Sequence, residues 1–126
     1  MRSTKMIQIE IKATGLELTP AIKAHIEAKV LQLDKFVDSS TGNALAQVEV
    51  AKTTDHHKHG EVFKAEINLC SDGRLFTARV TTEDLYAALD EVKDELVRQI
   101  TSYRNREQTL FRRGARRFKN MIRWGK

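Results

Sequence analysis

Ten residues in the middle of the chain, Glu61 to Cys70, constrain the fold more than any other stretch. Val62, Lys64, Glu66 and Asn68 alternate there with Phe63, Ala65, Ile67 and Leu69. A period of two places successive side chains on opposite faces, so the segment reads as a β-strand with one face to bury. Such a strand needs neighbours for its backbone groups and a second layer over its apolar face. The flanking sequence supplies the neighbours. Ser71-Asp72-Gly73 is a hairpin turn into a strand over about 74–81. On the other side, the polar loop Thr54-Asp55-His56-His57-Lys58-His59-Gly60 leads back to a strand over about 44–53 that contains Leu45, Val48 and Val50. Near the N-terminus, Ile7, Ile9 and Ile11 alternate with Met6, Gln8, Glu10 and Lys12, a further half-buried strand over 6–12.

Two helices supply the second layer. Thr19 is a natural N-cap and Pro20 a natural first helical residue. From there Ile22, Ile26, Val30, Leu33 and Val37 recur at helical spacing, which predicts a helix over about 20–37, followed by the loop 38–43. Thr82-Glu83-Asp84 opens the second helix, with acids in its first turn where the helix dipole favours them. Its buried stripe is Leu85, Leu89, Val92, Leu96, Ile100 and Tyr103, and it is expected to end at about Tyr103. The order β-α-β-β-β-α predicts a two-layer α+β fold, two helices on one face of a four-stranded sheet. At 126 residues, 40% of them hydrophobic, the chain has material for one such core.

Charge divides the chain differently. Residues 105–126 hold eight Lys or Arg against the single acid Glu107, a net +7, which leaves −2 of the total +5 for residues 1–104. The expected organisation is a folded domain over 1–104 and a basic C-terminal tail over 105–126. A segment this basic points to a polyanionic partner. Arg112, Arg113, Arg116 and Arg117, interleaved with Phe111, Phe118 and Trp124, suit RNA phosphates and bases. Two other readings stay open: a solubilising disordered end, and an amphipathic helix on a membrane surface.

Reaction chemistry finds little support. Asp55, His56, His57 and His59 crowd one loop without the spacing of a zinc site, and a solvated turn explains them better. Cys70 has no nearby base and reads as a small buried or half-buried strand residue. The acids Asp90, Glu91, Asp94 and Glu95 fit a solvated helix face, with Asp94 and Arg98 spaced to pair. No glycine-rich phosphate loop and no nucleophile–base set is present. No enzyme activity, metal or cofactor is expected. The single cysteine rules out an internal disulfide, and no apolar run approaches the roughly 18–20 residues of a membrane span. Cytoplasm is the expected compartment, with no membrane partner and a monomer when free. The start at Met1 or Met6 is left open.

Two stretches resemble a known family. Gly15-Leu16-Glu17-Leu18-Thr19-Pro20-Ala21-Ile22-Lys23, then Lys29 and Leu33-Asp34-Lys35-Phe36, is similar to the opening of the ribosome hibernation promoting factors, the ribosome-associated inhibitor or sigma-54 modulation protein family. Glu83-Asp84-Leu85-Tyr86-Ala87-Ala88-Leu89-Asp90 resumes the likeness, through Leu96, Arg98, Gln99 and Tyr103. The resemblance spans about residues 6–104 and implies the β-α-β-β-β-α fold. It also implies binding to the small ribosomal subunit and its rRNA in the mRNA and tRNA channel near the decoding site, with translation inhibited in stationary phase or stress. Some members promote pairing with a second ribosome, alone or with a helper factor. The family's basic positions are kept here at Lys23, Lys29, Lys35, Arg98 and Arg104, whereas Gln32, Glu95 and Thr101-Ser102 stand where bases would be expected. The 126 residues show no counterpart of the long second domain of some relatives, so the likeness is to the short form. A general structured-RNA-binding module is the alternative reading. The double-stranded-RNA-binding mode fits less well, since the start of the second helix is acidic.

Overall fold

In the computed structural model, residues 7–37, 44–55, 60–71 and 73–124 are described, without the side chains of 54, 55, 61, 111 and 115–124. The elements run β1 (Gln8–Thr14), α1 (Pro20–Asp34), β2 (Ala44–Asp55), β3 (Gly60–Ser71), β4 (Arg74–Thr82) and α2 (Leu85–Trp124). The strands form one sheet in the order β1-β2-β3-β4. β1 and β2 are parallel, with Ile9 opposite Ala46, because α1 carries the chain back between them. β2–β3 and β3–β4 are antiparallel, with Val48 opposite Ile67 and Ile67 opposite Ala78.

The alternation sorts the side chains by face. Ala46, Val48, Val50, Ala65, Ile67, Leu69 and Ala78 are buried beneath the helices. Ile26, Val30 and Leu33 of α1 meet them, as do Leu85, Leu89, Val92, Leu96 and Ile100 of α2. The opposite face carries a polar ladder: Gln47 donates to Glu10 at 3.3 Å and Lys64 to Glu49 at 3.2 Å. The hydrogen bond and charge of Lys64 hold the Glu49 carboxyl below the usual carboxylate range. Cys70 is exposed on this face, contrary to the buried or half-buried place expected for it: Leu69 and Ser71 take the inward positions.

Both helix starts follow from local chemistry. Thr19 accepts from the Ile22 N–H at 3.2 Å, ahead of Pro20. Asp84 accepts from the Tyr86 N–H at 3.0 Å, so the acid is the cap of α2 and not a member of its first turn. Gly15 joins β1 to α1 at φ +74°, and a Cβ there would stand 2.5 Å from the Lys52 carbonyl oxygen. Two expectations fail at helix ends. α1 stops at Asp34, where the Phe36 N–H bonds back to the Leu33 carbonyl and tightens the last turn, although Phe36 and Val37 still pack on the core. α2 does not stop near Tyr103: it continues to Trp124 as a helix of 40 residues.

Candidate nucleic-acid interface

The basic residues divide among three settings. The first is the seam between α1 and α2. Lys29 Nζ lies 3.1 Å from Asp90 Oδ1, and His25 Nε2 lies 3.0 Å from the same oxygen. The His25 and Tyr86 rings meet edge to face, 4.9 Å between centroids. Partial burial pushes the Asp90 carboxyl up, but the hydrogen bonds and charges of Lys29 and His25 outweigh it, and the net shift is downward. Lys29 is therefore a mostly covered cation tied to α2, whereas Lys23, earlier on α1, is exposed.

The second setting is the outer surface of α2. Arg98 is 71% exposed and pairs with Glu95, while Asp94 pairs with Lys93 at 2.7 Å. The expected Asp94–Arg98 pair is thus replaced by two others, because Lys93 and Glu95 offer nearer partners. Hydrogen bonds from Gln99 and Arg98 lower the Glu95 carboxyl. Gln99 also donates to the Thr77 carbonyl of β4 at 2.9 Å, which anchors this part of α2 to the sheet edge. Glu95 is hence a positioning acid where the resemblance would have a base.

The third setting lies where α2 leaves the sheet. Arg104 Nη1 donates to the Phe36 carbonyl at 3.2 Å and ties α2 to the end of α1. The Lys35 ammonium sits 5.7 Å from the Phe36 ring centroid. Lys35, Arg104, Arg112 and Arg113 are all exposed, and Arg116 and Arg117 fall on the same helix with side chains outside the described set. Residues 104–124 would span roughly 30 Å at the helical rise. They contain no proline and many good helix formers, which is why the helix continues. By helical spacing, Arg112, Arg116, Lys119 and Arg123 fall along one side. Leu110, Gly114, Phe118 and Met121 fall along the other, in line with the buried stripe Leu96, Ile100 and Tyr103. Sequence reasoning missed this because Glu107 interrupts the stripe and makes the apolar residues beyond it look scattered.

Among the described residues, no group of three or more His, Cys, Asp or Glu is placed to hold a metal ion. His56, His57 and His59 lie outside the described residues, as does the side chain of Asp55. No helix among the described residues is long and apolar enough to cross a membrane. Lys23, Lys35, Arg98 and Arg104 are thus exposed cations on or beside the two helices, and Lys29 is the covered one.

Residues 9–108 match the family described as Sigma 54 modulation protein / S30EA ribosomal protein, and the chain belongs to that family. Three similar relatives are each named ribosome hibernation promotion factor. The one from Lactococcus lactis is 31% identical over 101 residues, the one from Staphylococcus aureus 32% over 101, and the one from Bacillus subtilis 29% over 102. Each alignment covers about 80% of this chain, and the chain spans about half the length of these relatives. The N-terminal domain of Thermus thermophilus Protein Y superposes with a TM-score of 0.65 at 28% identity, covering 77% of this chain and 99% of that one. A ribosomal subunit interface protein from Coxiella burnetii shares the fold, with a TM-score of 0.59 at 15% identity over 79% of this chain and 99% of its own. The family match ends at residue 108, whereas α2 runs on to Trp124.

Proposed function

We propose that this chain is a ribosome hibernation factor of the cytoplasm that works by binding and not by catalysis. It occupies the mRNA and tRNA channel of the small subunit near the decoding site and so inhibits translation in stationary phase or stress. The observation that carries the reading is the family match over residues 9–108 on a Protein Y-like fold. In this proposal Lys23, Lys35, Arg98 and Arg104 contact rRNA phosphates, and Lys29 does so while held by Asp90. Arg112, Arg113, Arg116 and Arg117 extend the contact beyond residue 108.

Co-sedimentation with purified small subunits tests the reading. Stoichiometric binding that bound mRNA and tRNA prevent is the expected result. Binding that ignores those ligands would move the site elsewhere on the ribosome. A second reading, a structured-RNA binder without ribosome preference, draws on the basic part of α2 that lies beyond the family match. Equal affinity for subunits and for an unrelated folded RNA would favour it.

A further inference from the structure

A cleft of about 260 Å³ opens between the end of α1, the β3–β4 hairpin and the middle of α2. Its lining includes Phe36, Phe76, Tyr103, Arg74, Arg104 and Glu107. The Phe76 and Tyr103 rings meet edge to face, 5.8 Å between centroids. The Arg74 guanidinium lies 4.7 Å from the Tyr103 centroid on the hairpin side, and Arg104 reaches the Phe36 carbonyl on the other. Three aromatic rings and two guanidinium groups from separate elements thus border one opening. Arg74 and Arg104 are exposed, and Tyr103 is half-buried.

We infer that this cleft receives one unpaired nucleobase from a single-stranded stretch of RNA. The inference deepens the proposed function and rests on its premise that the chain binds RNA. Size is the first argument. Pockets for drug-sized ligands run from roughly 300 to 1,000 Å³, so a cleft of about 260 Å³ suits a single planar ring system. Chemistry is the second. Unstacked bases are held on aromatic rings and guanidinium planes, and the cleft offers both. Glu107 is the third. A carboxylate in the lining opposes a bare phosphate, yet it accepts N–H groups from a base edge. The two arginines at the border can meet the phosphates on either side of the base.

The test uses the full chain and a six-nucleotide single-stranded RNA with 2-aminopurine at one central position. Saturable quenching of its fluorescence is expected, because the analogue stacks when bound. Tyr103→Leu keeps apolar bulk but removes the ring, and Arg74→Ala changes an exposed side chain. Each should weaken binding roughly 5- to 100-fold, the range that loss of one base–aromatic stack produces, while Tyr103→Phe retains wild-type quenching. The same RNA with an abasic central position should bind as weakly to wild type as the intact probe does to Tyr103→Leu. Absence of quenching, wild-type binding by Arg74→Ala and Tyr103→Leu together, or full affinity for the abasic probe would overturn the cleft as a base site. Ribosome co-sedimentation of the wild type separates this from the parent reading. Ribosome binding without quenching removes the cleft alone, whereas quenching without ribosome binding removes the ribosome reading and leaves the cleft standing.

Discussion

The two halves of α2 share one helix and almost nothing else. From Leu85 to Tyr103 the helix is held by tertiary packing: Leu89, Val92 and Leu96 are wholly buried, and Gln99 is bonded to β4. Beyond Arg104 its described side chains are exposed, Leu110 among them at 56%. A backbone hydrogen-bond ladder is the same in both halves, so the difference lies in what the side chains meet. The first half shows helix formation driven by burial of a stripe. The second shows helix formation resting on propensity and on continuation from a fixed first half, which avoids the cost of a new nucleus. The first half carries the family's fold, and the second carries the chain's excess charge.

Substitutions can break that contrast. Leu96→Ala should cost about 2–5 kcal/mol, because it leaves a cavity in a packed core, whereas Leu110→Ala should change stability by no more than about 0.5 kcal/mol. Chemical denaturation of both variants checks this, and a large loss for Leu110→Ala would show that the second half packs on something. Gly114→Ala is expected to act in the opposite direction. Nothing lies within 4 Å of a Cβ built there, so relief of the glycine penalty should stabilise the outer helix by about 0.5–1 kcal/mol. Circular dichroism and amide exchange over residues 105–124 would register that as greater protection in the second half alone.

A modest, pH-dependent effect concerns the seam that fixes the first half against α1. The folded Asp90 carboxyl is depressed relative to its ordinary value. Its contribution is therefore fully present above the ordinary carboxylate pKa and is lost as pH falls through the depressed value. Asp90 is half exposed, with a side-chain exposure of 49%, and screening limits the pair to under about 1 kcal/mol at neutral pH. Asp90→Asn should lower stability by that amount near pH 7, and the gap from wild type should close below about pH 4. A gap that stays constant down to acid pH would show that the Lys29 and His25 contacts do not depend on the Asp90 charge.

The sequence legibly encodes whatever depends on periodicity. The period-two runs locate β1 and β3, the Ser71-Asp72-Gly73 turn points to β4, and the stripe from Ile22 to Leu33 locates α1, because burying one face repeats a residue type at a fixed interval. Ends are less legible. The stop of α1 at Asp34 depends on a tightened turn that leaves Phe36 and Val37 on the core, so the apolar stripe outlasts the helix. Glu107 hides the continuation of α2, since an exposed helix has no need of an unbroken stripe. Partners are the least legible. That Lys29 meets Asp90, that Arg104 meets Phe36 and that Arg74 covers Tyr103 follows from how distant elements pack. Only the basic character of each position could be read beforehand, so the cleft beside Tyr103 was not visible in the sequence.

The salt dependence of ribosome binding tests the division of labour in α2 most directly. The full chain and a version lacking residues 105–126 would be titrated against purified small subunits at several salt concentrations. The shortened protein should keep its fold, bind more weakly, and show a flatter slope of log affinity against log salt. The slope should flatten by about one unit for each phosphate that residues 105–126 neutralise in the full chain. Equal affinity and equal slope for the two proteins would contradict the account and return the whole interface to residues 1–104.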